Sequence, residues 1–118
     1  MLAGTRVLVV EDEALISMML EDYLLEIGCR VVGTAARVED ALEMARVVSM
    51  DVAVLDVNLA GKVSYPVAEV LRARNIPFLF ATGYGTAGLP VELRGSPVLS
   101  KPFLLDQLEK TLRASLGL

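Results

Sequence analysis

The sequence predicts an α/β domain, a doubly wound five-stranded parallel sheet in the order 2-1-3-4-5 with helices on both faces. Three observations carry that expectation. Short apolar, β-rich runs alternate with stretches of helical periodicity along the whole chain, the pattern of a parallel sheet covered by helices. The 118 residues suit one domain, 1–118, with no room for a second. A hydrophobic share of 54% against 22% charged residues can build one core and does not read as disorder.

The elements follow in order. Val7-Leu8-Val9-Val10 is a short buried strand. From about Glu13 to Ile27, residues Ile16, Leu20, Tyr23, Leu24 and Ile27 share one helical face, with Ser17, Glu21 and Asp22 off it, and Gly28 is suited to stop the helix. Arg30 to Thr34 is the second strand. Val38 to Val48 is a helix with Ala41, Leu42, Ala45 and Val48 facing inward. Asp51 to Asp56 is a third strand that ends in an acid. Pro66 to Arg74 is helical, with proline in the first turn. Pro77 to Ala81 and Val98 to Ser100 are the fourth and fifth strands, and Leu104 to Leu116 is the last helix, with Leu108, Leu112 and Leu116 as its stripe. Right-handed crossovers then favour the flavodoxin-like strand order. The segment Thr82 to Pro97 departs from the pattern. Four glycines and two prolines disfavour a stable helix there, so the fourth helix is expected to be weak or irregular.

Composition excludes several classes. The net charge is −4 and the bases are scattered, so no direct nucleic-acid surface is expected. The chain has no histidine, which removes Ser-His-Asp and Cys-His catalysis and any histidine-bearing zinc site. Its single cysteine, Cys29, cannot form a disulfide within the chain and reads as a small apolar residue at a helix end, in keeping with a reducing cytoplasm. No stretch reaches the length of a membrane span or a signal segment, so no membrane association is expected.

Sites in open parallel sheets form at the carboxyl ends of the strands. Strand one ends in Glu11-Asp12-Glu13, strand three in Asp56, strand four in Thr82, and strand five in Ser100-Lys101-Pro102. In the predicted order these ends converge. Three acids in one patch repel each other and suit a hard cation with oxygen ligands, above all Mg²⁺. A cation leaves Asp56 able to attack phosphorus, and Lys101 and the Thr82 hydroxyl would then stabilise the transferred charge. Singly, each residue has an ordinary alternative: a helix N-cap for Asp12, Glu13 or Asp56, a turn residue for Thr82, a solvated charge for Lys101. The functional reading rests on their conjunction.

The segments VLVVEDE, VLDVNLAG, FATGYG and LSKPF resemble the four signature segments of response regulator receiver domains, the CheY-like domains of two-component signalling. They occur in order and span essentially the whole chain. The resemblance implies that Asp56 is the phosphoacceptor, and that the metal, Mg²⁺ or Mn²⁺, is held by Glu11, Asp12, Asp56 and the backbone carbonyl of Asn58. It implies that Lys101 pairs with the phosphoryl group, that Pro102 follows it through a cis peptide, and that Thr82 is the switching hydroxyl. A receiver catalyses only its own phosphorylation and dephosphorylation, with the phosphoryl group coming from a histidine kinase or histidine phosphotransfer protein.

Two departures stand out. Receivers usually carry an aromatic three residues before the lysine, where this chain has Val98. The segment Phe80 to Gly85 resembles the FAT GUY subgroup, which lacks that aromatic and has a weak fourth helix. Tyr84, Val98, Gly83 and Pro102 are therefore the expected switch or tuning positions, with Tyr84 and Asn58 flanking the path of an attacking water. The first helix has surplus apolar residues, Leu15, Met18, Met19 and Leu25, where receivers commonly dock a kinase. No output segment follows the last helix, so signalling by contact with a downstream protein is expected, as is a phosphorylation-linked dimer.

Other readings stand beside this one. A haloacid dehalogenase-type phosphatase would need an acid two residues past Asp56, where Asn58 stands. A flavin or nucleotide binder would need a phosphate cradle after strand one, where three acids stand. A receiver-fold adaptor acting without phosphorylation, and a fragment of a hybrid kinase or longer regulator, both remain open.

Overall fold

Alternation along each strand organises the molecule. In the computed structural model, which describes residues 2–83, 89–93 and 95–118, β1 (Arg6–Val10) turns Leu8 and Val10 to one side of the sheet and Val7 and Val9 to the other. The same division holds on β3 (Val52–Asp56), where Ala53 and Leu55 oppose Val52 and Val54. It holds again on β6 (Phe78–Thr82), where Phe78 and Phe80 oppose Leu79 and Ala81. A strand apolar on both faces must be covered on both faces. Helices α2 (Val38–Val47) and α3 (Tyr65–Ala73) cover the first side through Ala41, Ala45, Val67, Ala68 and Leu71. Helices α1 (Ala14–Ile27) and α4 (Leu105–Ser115) cover the second through Leu20, Leu24, Leu108 and Leu112.

With β2 (Arg30–Ala35) at one edge and β7 (Val98–Ser100) at the other, the sheet runs β2-β1-β3-β6-β7. All neighbours pair in parallel. These are the five expected strands in the expected order. A second, two-stranded antiparallel ladder was not anticipated: β4 (Asn58–Leu59) pairs with β5 (Lys62–Val63) immediately after Asp56.

Most boundaries fall within a residue or two of expectation, and the differences have local causes. Asp51 lies outside β3. Its carboxylate accepts the Arg6 backbone N–H at 2.8 Å and faces the Arg6 guanidinium, so it fastens the start of β1 and does not extend the ladder. Leu42 and Val48 are only half-buried, and Val38 supplies the inward contact at the start of α2. Leu104 precedes α4, and its backbone N–H donates to the Gln107 side chain at 2.7 Å.

Gly28 ends α1 as expected. It sits at φ +102°, where its N–H reaches Leu24 and Leu25 carbonyls, while the Cys29 N–H donates to the Leu24 carbonyl at 2.8 Å. Cys29 is buried, and burial pushes its thiol above the usual range, in keeping with a packing role.

The weak fourth helix expected between Thr82 and Pro97 falls partly on residues 84–88 and 94, outside the described residues. Among those described there, only a single 3-10 turn occurs, Val91–Leu93. Leu89 and Leu93 are buried in the α2–α3 side of the core. Among the described residues, no helix is long and apolar enough to cross a membrane.

Candidate functional site

The carboxyl ends of β1, β3, β6 and β7 meet at one end of the sheet, because parallel strands with right-handed crossovers all finish on the same edge. Glu11 follows β1 and its N–H donates to the Ala35 carbonyl at the end of β2. Asp56 closes β3, Thr82 closes β6, and the Lys101 N–H donates to the Thr82 carbonyl at 2.9 Å. An open cleft of about 630 Å³ lies between these ends; its wall includes Asp12, Asp56, Asn58, Thr82, Gly83 and Lys101. Glu13, Val57 and Val63 complete the lining.

Lys101 is the hub of the site. Its Nζ lies 2.8 Å from Glu11 Oε1 and 3.3 Å from Asp56 Oδ2. The peptide bond that follows it, to Pro102, is cis. Glu11 Oε2 accepts the Glu13 backbone N–H at 3.1 Å, so both its oxygens are engaged. Asp12 is exposed and its Oδ2 accepts the Ala60 N–H at 3.0 Å. Each of Glu11, Asp12 and Asp56 offers a carboxylate oxygen within 4.8 Å of the others.

This crowding reshapes the charges. Burial pushes the Asp56 carboxyl up to about 7, the nearby Glu11 adds to the rise, and Lys101 only partly offsets it. Burial opposes the Lys101 charge, but Glu11 and Asp56 outweigh it and hold its pKa above the ordinary value. Asp12 goes the other way. Burial works against its charge, yet the Ala60 N–H and hydrogen bonding with Glu11 and Asp56 bring it below the usual carboxylate range. The three acids thus sit in an excess of negative charge that one lysine does not cancel. An all-oxygen donor set in that state fits a hard divalent cation.

The capping alternatives are not how these acids are used. Glu13 occupies the N-cap position of α1, but no side-chain hydrogen bond caps that helix. At α3 the cap position is Ser64, and again no side-chain cap is made.

The remaining predicted positions divide. Val98 pairs with Phe80 across the β6–β7 ladder and packs half-buried against the α2–α3 side of the core. Tyr84 lies outside the described residues. On α1, Leu15 and Met18 stand 81% and 58% exposed, and Leu25 64%. Met19 does not belong with them. It is half-buried against the α1–α4 side of the core beside Ile16 and Tyr23, because the inward stripe of α1 is wider than the five residues expected.

Sequence reasoning missed what Ala60 does. A backbone N–H that holds Asp12 has no signature in residue type, and only the Ala60-Gly61 turn, with φ values of +51° and +87°, marks it. Lys62 and Glu39 were missed as well; they pair at 2.6 Å between β5 and the first turn of α2.

Comparison with known proteins identifies the family and the fold. Residues 7–113 match the family described as response regulator receiver domain. The solution structure of SdrG from Sphingomonas melonis is 48% identical, covers 100% of both chains and superposes with a TM-score of 0.86. The BeF3-activated conformation of SdrG, from Pseudomonas melonis, is 48% identical and gives 0.82 over 98% of this chain and 99% of that one. The receiver domain of the Erythrobacter litoralis PhyR response regulator is 31% identical with a TM-score of 0.84, covering 98% of this chain and 92% of that one. Among curated sequences, the transcriptional regulatory protein PdtaR of Mycobacterium tuberculosis is 31% identical over 107 residues, which is 87% of this chain and 52% of that protein. The chain therefore spans about half the length of the first curated relatives it matches. On the match over residues 7–113 and the shared fold, this chain belongs to the response regulator receiver domain family of two-component signalling.

Proposed function

We propose that the chain receives a phosphoryl group on Asp56 from a histidine kinase or histidine phosphotransfer protein and passes the signal on by contact with a downstream protein. The observation that carries this reading is the meeting of Asp56, Lys101 and two further acids at the strand ends, with Lys101 Nζ 3.3 Å from Asp56. The likeness to SdrG, known in a BeF3-activated form, supports it.

Glu11, Asp12 and Asp56, with the backbone carbonyl of Asn58, would hold a divalent cation, Mg²⁺ or Mn²⁺. When bound, that ion supplies charge neutralisation at the acids and at the incoming phosphoryl oxygens. Asn58 Oδ1 already accepts the Gly61 N–H at 3.0 Å, which favours its backbone carbonyl as the ligand.

The chain's own residues do the rest. A carboxylate oxygen of Asp56 attacks phosphorus; the new O–P bond forms as the donor's P–N bond breaks, the nitrogen keeps the electron pair, and the leaving imidazole takes a proton from solvent. Lys101 pairs with the developing phosphoryl charge in place of the Asp56 oxygen it holds before reaction. The Thr82 hydroxyl, buried at the end of β6, donates to the same group and so links the reaction to the segment that follows. Gly83 leaves that side of the cleft open to the donor. Pro102 aims Lys101, and Tyr84 shields the acyl phosphate from water. Leu15 and Met18 present an apolar face beside the cleft for the kinase or phosphotransfer partner. A single cysteine fits a cytoplasmic setting.

Intact mass after exposure to a small phosphodonor tests this directly. A phosphoryl adduct that forms only with Mg²⁺ and is absent in Asp56→Asn is the expected result. If neither a small donor nor a phosphorylated histidine kinase produces an adduct, Asp56 leaves the mechanism and the chain acts as an unphosphorylated adaptor.

A further inference from the structure

The hairpin Asn58–Val63 stands against the cleft, which both of its end residues line. Each of its strands is two residues long, too short to be stable alone. Leu59 roots it in the core at 1% exposed. Two polar tethers hold the rest. At the tip, the Ala60 N–H donates to Asp12 Oδ2 at 3.0 Å, so the hairpin grips one of the three acids directly. On the far side, Lys62 Nζ meets Glu39 Oε1 at 2.6 Å and ties β5 to the first turn of α2.

We infer that Lys62 and Glu39 are positioning residues for the cation site: their pair holds the hairpin so that Ala60 keeps Asp12 turned across the cleft toward Glu11 and Asp56. The inference rests on the receiver reading, since it concerns the same cation. Both side chains are mostly exposed, at 68% and 60%, and an exposed pair adds little to global stability. Its effect is local. Orienting a ligand before the ion arrives removes part of the ordering that binding otherwise requires. The other tether acts at the ligand itself, because the Ala60 N–H engages Asp12 directly through its Oδ2.

Charge makes the test discriminating. Lys62→Gln removes a positive charge near an acidic site, which on electrostatic grounds alone strengthens Mg²⁺ binding. Loss of positioning weakens it. Titration calorimetry of the full chain with Mg²⁺ alone reads the difference, beside the thermal midpoint of the metal-free protein. The expected result is affinity about threefold weaker in Lys62→Gln, ordinary affinity in Lys62→Arg, and an unchanged metal-free midpoint in both. Equal or tighter binding by Lys62→Gln overturns the inference while leaving the receiver reading intact. So does weaker binding that tracks a lowered midpoint. No Mg²⁺ binding by the unaltered chain overturns both.

Discussion

Lys101 reaches across the cleft to Glu11: its Nζ lies 2.8 Å from Glu11 Oε1, although the residues are 90 positions apart in the chain. Asp56, the residue proposed to react, is the more distant partner at 3.3 Å. Before any cation or phosphoryl group arrives, the lysine is therefore the counterion of two acids at once. Both acids are buried, so the loss of either contact is felt in the core as well as at the surface.

The first prediction follows from that double contact. Lys101→Ala leaves two buried carboxylates facing each other without their donor. Metal-free stability should fall by about 1–3 kcal/mol, the cost of leaving a buried polar group unsatisfied. Urea unfolding checks it, and saturating Mg²⁺ should narrow the gap to the unaltered chain. No loss of stability would show that the lysine is dispensable to the resting site.

Asp56→Asn should act in the opposite sense. The Asp56 carboxyl titrates near 7 in the fold, above its unfolded value of about 3.9, so the folded state binds the extra proton between those values. Metal-free stability then falls as pH rises from about 4 to 7 and levels off above 7. The asparagine variant lacks that charge, so its advantage should be small at pH 5 and full at pH 8. Unfolding of both proteins at pH 5, 6 and 8 in the presence of a chelator measures the gap. A gap that is constant with pH would contradict the reading of Asp56 as a strained carboxylate.

A third prediction concerns the Arg6–Asp51 pair. Hydrogen bonds from the Arg6 side chain and backbone hold the Asp51 carboxyl below the usual range. A depressed acid contributes stability that is complete above its unfolded pKa, about 3.9, and is lost as pH falls through the lower, folded one. Asp51→Asn should therefore differ from the unaltered chain at neutral pH and converge with it in strong acid. The pair is about 40% exposed, so salt should shrink the difference. Acid titration followed by circular dichroism at low and high ionic strength reads both effects.

Arg74 supplies a fourth. It lies just past α3, yet its Nη1 donates to the carbonyls of Ala45 at 2.6 Å and Val48 at 3.0 Å. Those are open carbonyls at the end of α2, and a cation there also meets the negative end of the helix. Arg74→Ala should cost about 1 kcal/mol of unfolding free energy. Lys in its place should recover only part, because its side chain is shorter and its ammonium is more strongly hydrated, although one nitrogen can serve both carbonyls as Nη1 does here. Equal stability of all three proteins would place Arg74 outside the packing of α2 on α3.

How much of this was legible in the sequence depends on the range of the interaction. Periodicity located the five strands, because burial on both faces of a parallel strand leaves an apolar run such as Val52 to Leu55. Gly28 announced the end of α1, since a left-handed cap is a local demand on one residue. The hairpin after Asp56 was not legible. Its strands are too short to show a period of two, and its register depends on Leu59 in the core and on tethers to Asp12 and Glu39. Met19 was misassigned to the outer face for a related reason. A methionine reads the same on either face of a helix until the neighbouring helix is in place.

Residue types at the ends of strands determined by themselves which acids, hydroxyl and lysine could meet, because parallel topology sends those ends to one edge. Tertiary structure alone decided how they meet. That Lys101 prefers Glu11, that burial raises Asp56 while a backbone N–H lowers Asp12, and that the Ala60 N–H of a hairpin reaches Asp12 are consequences of distance and dielectric. Those quantities exist only once residues far apart in the chain are brought within a few ångströms and water is partly excluded.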